Sequence, residues 1–185
     1  MEVALLNSGG LDSALVAKWL MSQGVTTHSI YIDTSAENRV QAMLASEETA
    51  TRYCADHRVV SVDFGMTSTQ VTPDHTTSIP LSSLLVGSVG VVDARLHGIT
   101  EVYTGHRSNA SADRIEMLND FVATSPYNTV KPHINTPILT ATDYASAATM
   151  LGVSLDDLSY THSCVHAEPC GTCGVCLSRA NLWTP

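Results

Sequence analysis

Basic charge is scarce in this 185-residue chain, where nine Lys and Arg stand against 18 Asp and Glu and leave a net charge of −9. The only lysines are Lys18 and Lys131, and the arginines are scattered. A protein that grips a nucleic-acid backbone carries a basic stripe, because phosphate contacts and counterion release supply most of that affinity. The absence of such a stripe argues against nucleic-acid binding and favours a small-molecule substrate. Long apolar runs are also missing. A membrane span needs roughly 18 consecutive apolar residues, and the greasiest stretch, Leu84 to Val92, is broken by Gly87, Ser88 and Gly90. The first residues carry no basic segment of the kind that opens a secretory signal. There is no internal repeat and no low-complexity linker. Cysteine is sparse and odd in number: Cys54 is isolated, and four more crowd between Cys164 and Cys176. That spacing reads as metal ligation in a reducing compartment and not as a disulfide framework. A soluble, cytoplasmic protein is expected, with one domain's worth of core.

What is present alternates. Apolar runs of strand length at Glu2–Leu6, Thr26–Ile32, Val59–Phe64 and Glu101–Thr104 are separated by helical patterns. Those patterns cover Leu11–Met21, Glu37–His57, Pro80–Leu96, Ile115–Val122 and Asp143–Leu151. Strand–helix alternation implies right-handed crossovers and a parallel sheet covered on both faces. The Thr- and Ser-rich stretch Gly65–Ser78 reads as a long loop of the kind that often forms a lid or binding loop.

The first strand runs into Asn7-Ser8-Gly9-Gly10-Leu11-Asp12-Ser13-Ala14 and then into a helix. Two glycines let the backbone turn tightly and approach a ligand. The amides and positive dipole end of the helix then face an anion, with Ser8 and Ser13 adding hydroxyls. Asp12 either caps the helix or, facing phosphate, works with a cation such as Mg²⁺ between them. The pattern is neither a Gly-x-Gly-x-x-Gly turn nor a Walker loop.

At the other end, Cys164-x5-Cys170-x2-Cys173-x2-Cys176 gathers four thiols. Zinc takes four soft ligands tetrahedrally, and Cys-x-x-Cys lets two thiolates reach one ion around a tight turn. Four thiolates leave no position for a catalytic water, so the site is expected to be structural. An iron–sulfur cluster, a redox pair, or His162 or His166 as a substitute ligand are the alternatives. Cys54 reads as a buried small hydrophobe.

The hexapeptide Ser8–Ser13, in its strand–turn–helix setting, resembles the pyrophosphate-binding loop of the ATP pyrophosphatases, which split ATP to AMP and pyrophosphate while adenylating a substrate. Joined to the cysteine tail, it resembles the 7-cyano-7-deazaguanine synthase family of the queuosine and deazapurine pathway. Intermediate landmarks agree: Ser78–Leu85 around Pro80, Val102-Tyr103-Thr104-Gly105, Asn135-Thr136-Pro137-Ile138, Thr161-His162-Ser163-Cys164, and Arg179. The resemblance implies a doubly wound, Rossmann-like α/β fold of about five parallel strands, of the adenine-nucleotide alpha-hydrolase kind. It implies a nucleotide-binding domain over 1–160 and a zinc-bound C-terminal segment over 161–185 packed on it.

The implied activity is ATP-dependent conversion of 7-carboxy-7-deazaguanine with ammonia to the nitrile through acyl-adenylates, in a homodimer. ATP with Mg²⁺ would sit against Asn7, Ser8, Gly9, Gly10, Leu11, Asp12, Ser13, Ala14 and Gly105, with Asp12 and Ser13 as catalytic residues. Substrate would meet Asp33, His106 and Arg107 near the ends of the second and fourth strands. Zinc would sit on Cys164, Cys170, Cys173 and Cys176. The chain departs from the family's pattern around the substrate, with Ile32-Asp33-Thr34-Ser35 after the second strand and Pro80-Leu81-Ser82-Ser83 opening the central helix. Those departures leave open a one-step enzyme that stops at the amide, an adenylating enzyme for another carboxylate or a tRNA base, and a nucleotide-binding partner subunit without catalysis.

Overall fold

The computed structural model describes residues 1–63, 70–71, 77–78, 82–105, 109–124, 133–135 and 144–182. The strands are β1 (Glu2–Leu6), β2 (Thr26–Asp33), β3 (Asp56–Ser61), β4 (Gln70–Val71), β5 (Thr77–Ser78), β6 (Glu101–Thr104) and β7 (His133–Asn135). The helices are α1 (Leu11–Ser22), α2 (Arg39–Tyr53), α3 (Ser82–Leu96), α4 (Asn109–Thr124), α5 (Tyr144–Met150) and α6 (Gly174–Leu182), with a 3₁₀ turn at Asp156–Leu158. Five strands form a sheet in the order β3-β2-β1-β6-β7, every neighbouring pair parallel.

β1 sits at the centre of this sheet and explains why its sequence is apolar without alternation. A central parallel strand is covered on both faces, so both sets of side chains are buried. Val3 and Leu5 join Leu11, Leu15, Val16, Leu20, Ala147, Ala148 and Leu158 on the side of α1 and α5. Ala4 and Leu6 join Ile30, Ile32, Val91, Ala94, Val102, Ile115, Leu118 and Val122 on the side of α3 and α4. The doubly wound α/β expectation therefore holds. No helix among the described residues is long and apolar enough to cross a membrane.

Several local readings need correction. The helix expected over Glu37–His57 ends at Tyr53, and the strand expected over Val59–Phe64 begins at Asp56. The polar run Asp56-His57-Arg58 carries no strand pattern of its own. It is recruited by pairing with β2, in register His28↔Asp56 through Asp33↔Ser61. The imidazole of His28 meets the Asp56 carboxylate at 2.9 Å, and Arg58 donates to Asp93 of α3 at 2.8 Å. Cys54 thus caps α2 instead of lying within it. It still packs against the core around α1, and burial pushes its thiol up to about 12, with the Asp56 carboxylate adding to the effect. Within the stretch read as the loop Gly65–Ser78, β4 and β5 pair antiparallel. α4 extends beyond Ile115–Val122 at both ends. Pro80 and Asp143, read as helix openings, lie outside the described residues, as do His106 and Arg107.

Candidate functional site

The carboxyl ends of β1, β2 and β6 open into a cavity of about 320 Å³. In doubly wound sheets this edge is where ligands bind, because crossovers to opposite faces part there and leave a crevice. Its floor is Asn7, Ser8, Asp12 and Ser13 of the β1–α1 turn, and Tyr31, Ile32 and Thr34 of β2 and its end form one wall. Thr104 and Gly105 stand opposite, with Ala36, Asn38 and Ala42 before and within α2 and Val86 and Gly87 of α3 closing the remainder.

The turn is held by its own polar groups. The Ser8 N–H donates to Ser13 Oγ at 3.2 Å, and the two serine hydroxyls lie 3.1 Å apart. Gly9 N–H donates to Asn7 Oδ1 at 3.1 Å. Gly9 has φ +75°, and a Cβ there would sit 2.2 Å from the Ala42 carbonyl oxygen of α2. Only glycine meets both conditions. Gly10 is the N-cap of α1 and supplies no side-chain cap, and Asp12 and Ser13 of the first turn line the cavity. Gly105 is bare for a different reason: a Cβ would lie 2.7 Å from Asp12 Cβ and 2.9 Å from Ser13 N. Its missing side chain lets the end of β6 close on the start of α1.

The residues singled out from sequence separate in space. Asn7, Ser8, Asp12, Ser13 and Gly105 line the cavity. Leu11 and Ala14 point into the core behind the turn, and the Ala14 amide is committed to Gly10 O at 3.2 Å. The Asp33 carboxylate accepts from Ser35 N–H at 2.8 Å, holding Ser35 at φ +59°, while its neighbours Ile32 and Thr34 face the cavity. Motif reading missed Tyr144, which donates its hydroxyl to Asp12 Oδ2 at 3.2 Å from α5. No spacing links residues so far apart in the chain. Tyr31, at the end of the second strand where the resemblance sets the ligands, donates to Arg39 O at 3.2 Å, and burial, reinforced by Asp33, raises its phenol to about 12.

The four sulfurs of Cys164, Cys170, Cys173 and Cys176 lie within 4.8 Å of one another, which makes the cluster a potential metal site. Backbone N–H groups point at them: Cys173 to Cys170 and Cys176 to Cys173 at 3.4 Å, and His166 to Cys164 at 3.5 Å. Backbone and Thr172 hydrogen bonds pull the exposed Cys170 thiol down to about 5, whereas burial pushes the Cys176 thiol up to about 12, so a metal would have to displace the Cys176 proton on binding. Neither candidate histidine belongs to the cluster. His162 Nε2 meets His166 O at 2.9 Å, and His166 Nδ1 faces Glu37 at 3.2 Å.

This C-terminal segment lies on the β1–α1 turn. His162 N–H donates to Gly9 O at 2.9 Å, and Asn38 Nδ2 donates to Cys164 O at 2.7 Å. Arg179 of α6 holds the same strand of chain through Thr161 Oγ1 at 2.8 Å and Ser159 O at 3.1 Å.

A sequence model described as "Queuosine biosynthesis protein QueC" matches residues 2–184. The chain belongs to the QueC family. Similar curated proteins are 7-cyano-7-deazaguanine synthases. That of Cellvibrio japonicus is 25% identical, the match covering 96% of this chain and 91% of the relative. That of Thermoplasma acidophilum is 27% identical, over 96% and 85%. Among solved structures, the U34-tRNA thiolase NcsA of Methanococcus maripaludis, described with its [4Fe-4S] cluster, superposes with a TM-score of 0.60 at 16% identity. That match covers 98% of this chain and 63% of the thiolase. A 4-thiouridine synthetase solved with RNA and ATP gives 0.54 at 18% identity, over 89% and 44%. These structures share the fold, and this QueC member carries that fold with the cysteine cluster closed against its glycine turn.

Proposed function

We propose that this QueC-family chain converts 7-carboxy-7-deazaguanine and ammonia to 7-cyano-7-deazaguanine at the expense of ATP. The observation that carries the reading is the Ser8–Ser13 turn at the floor of the cavity, in a chain whose relatives are synthases of that name. A carboxylate resists attack by ammonia at neutral pH. Transfer of AMP from ATP to the carboxylate oxygen releases pyrophosphate and creates a good leaving group. Ammonia then attacks the acyl carbon and expels AMP, giving the amide. A second adenylation, now on the amide oxygen, lets AMP depart as the nitrile forms.

The helix-start amides with Ser8 and Ser13 face the charge that builds as the α–β phosphate bond breaks. Asp12, bonded by the Tyr144 hydroxyl, would hold the Mg²⁺ that accompanies ATP. The β2 and β6 walls at Tyr31–Thr34 and Thr104–Gly105 flank the adenine and the deazaguanine, and Gly105 contributes by its missing side chain.

Zinc is the metal we assign to the cysteines. Bonds of about 2.3 Å in tetrahedral array set sulfurs about 3.8 Å apart, which suits a cluster confined within 4.8 Å and a Cys170–Cys176 separation of 4.0 Å. Four thiolates close the shell, so its contribution is to hold the Thr161–Cys164 strap on the turn.

The test is mass spectrometry of the purified, metal-loaded protein with ATP, Mg²⁺, ammonium and 7-carboxy-7-deazaguanine. Nitrile with release of AMP is the expected result. Amide alone makes this a one-step enzyme. Neither product, with no AMP formed by folded protein, overturns the proposal.

A further inference from the structure

Behind the glycine turn lies a chain of buried polar groups that the reaction does not use. Asn7 is 1% exposed, and Ser29 and Ser46 are fully buried. Asn7 Nδ2 donates to Ser46 O at 2.9 Å and to Ser29 Oγ at 3.0 Å, while Asn7 Oδ1 accepts from Gly9 N–H at 3.1 Å. The orientation of this amide is forced, because the Ser46 carbonyl only accepts and the Gly9 N–H only donates. Ser29 Oγ in turn faces His57 Nδ1 at 3.0 Å. The other ring nitrogen, Nε2, lies 3.3 Å from Ser46 Oγ, whose own hydrogen goes to Met43 O at 2.7 Å.

These partners leave one consistent assignment. Ser46 Oγ has spent its hydrogen, so it accepts from His57 Nε2–H. Ser29 Oγ already accepts from Asn7, so its hydrogen is free to go to His57 Nδ1. Every group is satisfied when His57 is neutral with its proton on Nε2.

We propose that His57 is a positioning residue for the phosphate turn, fixing Gly9 through Ser29 and Asn7. Protonating His57 would place a second hydrogen between Nδ1 and Ser29 Oγ. The hydrogen of the fully buried Ser29 hydroxyl would have to turn away and its oxygen accept from both His57 Nδ1–H and Asn7 Nδ2–H, which would loosen the Asn7 hold on Gly9. The surroundings favour the neutral ring: desolvation lowers its pKa from the usual 6.5, and this outweighs the opposing carboxylates of Glu47 on α2 and Asp56 on β3. On the β2 side Ser29 is the partner, while His28, one residue earlier, engages Asp56.

Nuclear magnetic resonance of the ligand-free protein tests the relay directly. The Gly9 amide resonance should shift with the titration of the His57 ring, below pH 6.5, and should lose that response in His57→Gln, which keeps a donor and an acceptor but cannot titrate in this range. A Gly9 resonance indifferent to His57 overturns the proposal. Calorimetric ATP binding reads the consequence and rests on the proposed function. His57→Phe should weaken binding about tenfold, as expected for an unpaired buried hydroxyl, and His57→Gln should restore it. Wild-type affinity should fall relative to His57→Gln as pH drops below 6.5. Equal affinity in His57→Phe and wild type, in protein that binds ATP, overturns the positioning role. A titrating Gly9 in folded protein that binds no ATP upholds the relay and removes the ATP reading instead.

Discussion

Gly9→Ala isolates what the glycine turn demands, because Gly24 offers an internal control. Both residues have positive φ, +75° and +67°. A Cβ at Gly24 meets nothing within 4 Å, whereas at Gly9 it meets the Ala42 carbonyl oxygen at 2.2 Å. Gly24→Ala therefore carries only the backbone strain of an L-residue in the left-handed region, about 1 kcal/mol. Gly9→Ala carries the same strain plus a clash with a backbone atom that cannot rotate aside, a further 1–3 kcal/mol or so by analogy with overpacked cores. For a domain of this size, 1 kcal/mol corresponds to about 2–4 °C in melting temperature. Gly9→Ala should thus melt roughly 2–12 °C below Gly24→Ala when both are followed by circular dichroism. Relief of the clash requires Ala42 and the first turns of α2 to retreat, and Ala42 lines the cavity. Gly9→Ala should accordingly lose ATP binding while Gly24→Ala keeps it. Equal melting temperatures and equal affinities would refute the claim that close approach, and not φ alone, reserves this position for glycine.

Asp12→Asn should leave the melting temperature within about 2–3 °C of wild type, since the Tyr144 hydroxyl still has an oxygen to bond. Pyrophosphate release should fall by about tenfold to a hundredfold, the scale for a weakened metal contact; undiminished turnover would remove Asp12 from the chemistry. Stripping the metal with a chelator, verified by elemental analysis, should lower the melting temperature and weaken ATP binding together, because the Thr161–Cys164 strap bonds to Gly9 O through His162. An unchanged melt after verified metal loss would refute a structural site. Asn38→Ala should reproduce part of that effect with the metal still bound, by cutting the 2.7 Å bond to Cys164 O; calorimetry with metal quantification would detect it. Lowering pH should destabilise the fold through His57. Its folded pKa lies below 6.5, so its contribution is present above pH 6.5 and is lost as pH falls from there toward the folded value. The pH dependence of denaturant midpoints should flatten in His57→Gln over that window.

Much of the framework was legible because its signals are local. The apolar run of β1, the serine–glycine turn with its Asp and Ser, and the four cysteines at tight spacing each state their chemistry within a few residues. Alternation of strand and helix patterns then restricts the topology, since crossovers in one sheet take one hand. Where the local pattern was silent, the reading failed. Asp56 and His57 look like the end of a helix, and only pairing with β2 makes them, with Arg58, a strand. β7 is three residues long, too short for any periodicity to show.

The sequence by itself determined which groups could carry the chemistry: the turn from Ser8 to Ser13 and the thiols from Cys164 to Cys176. Tertiary structure decided who stands beside them. Tyr144 reaches Asp12, His162 reaches Gly9, and His57 reaches Asn7 through Ser29, each from another part of the chain. Short-range codes, such as a helix cap or a Cys-x-x-Cys knuckle, are written in neighbouring residues. Contacts between distant residues exist only once the sheet sets its strand order and the burial of the surrounding apolar groups fixes their distances.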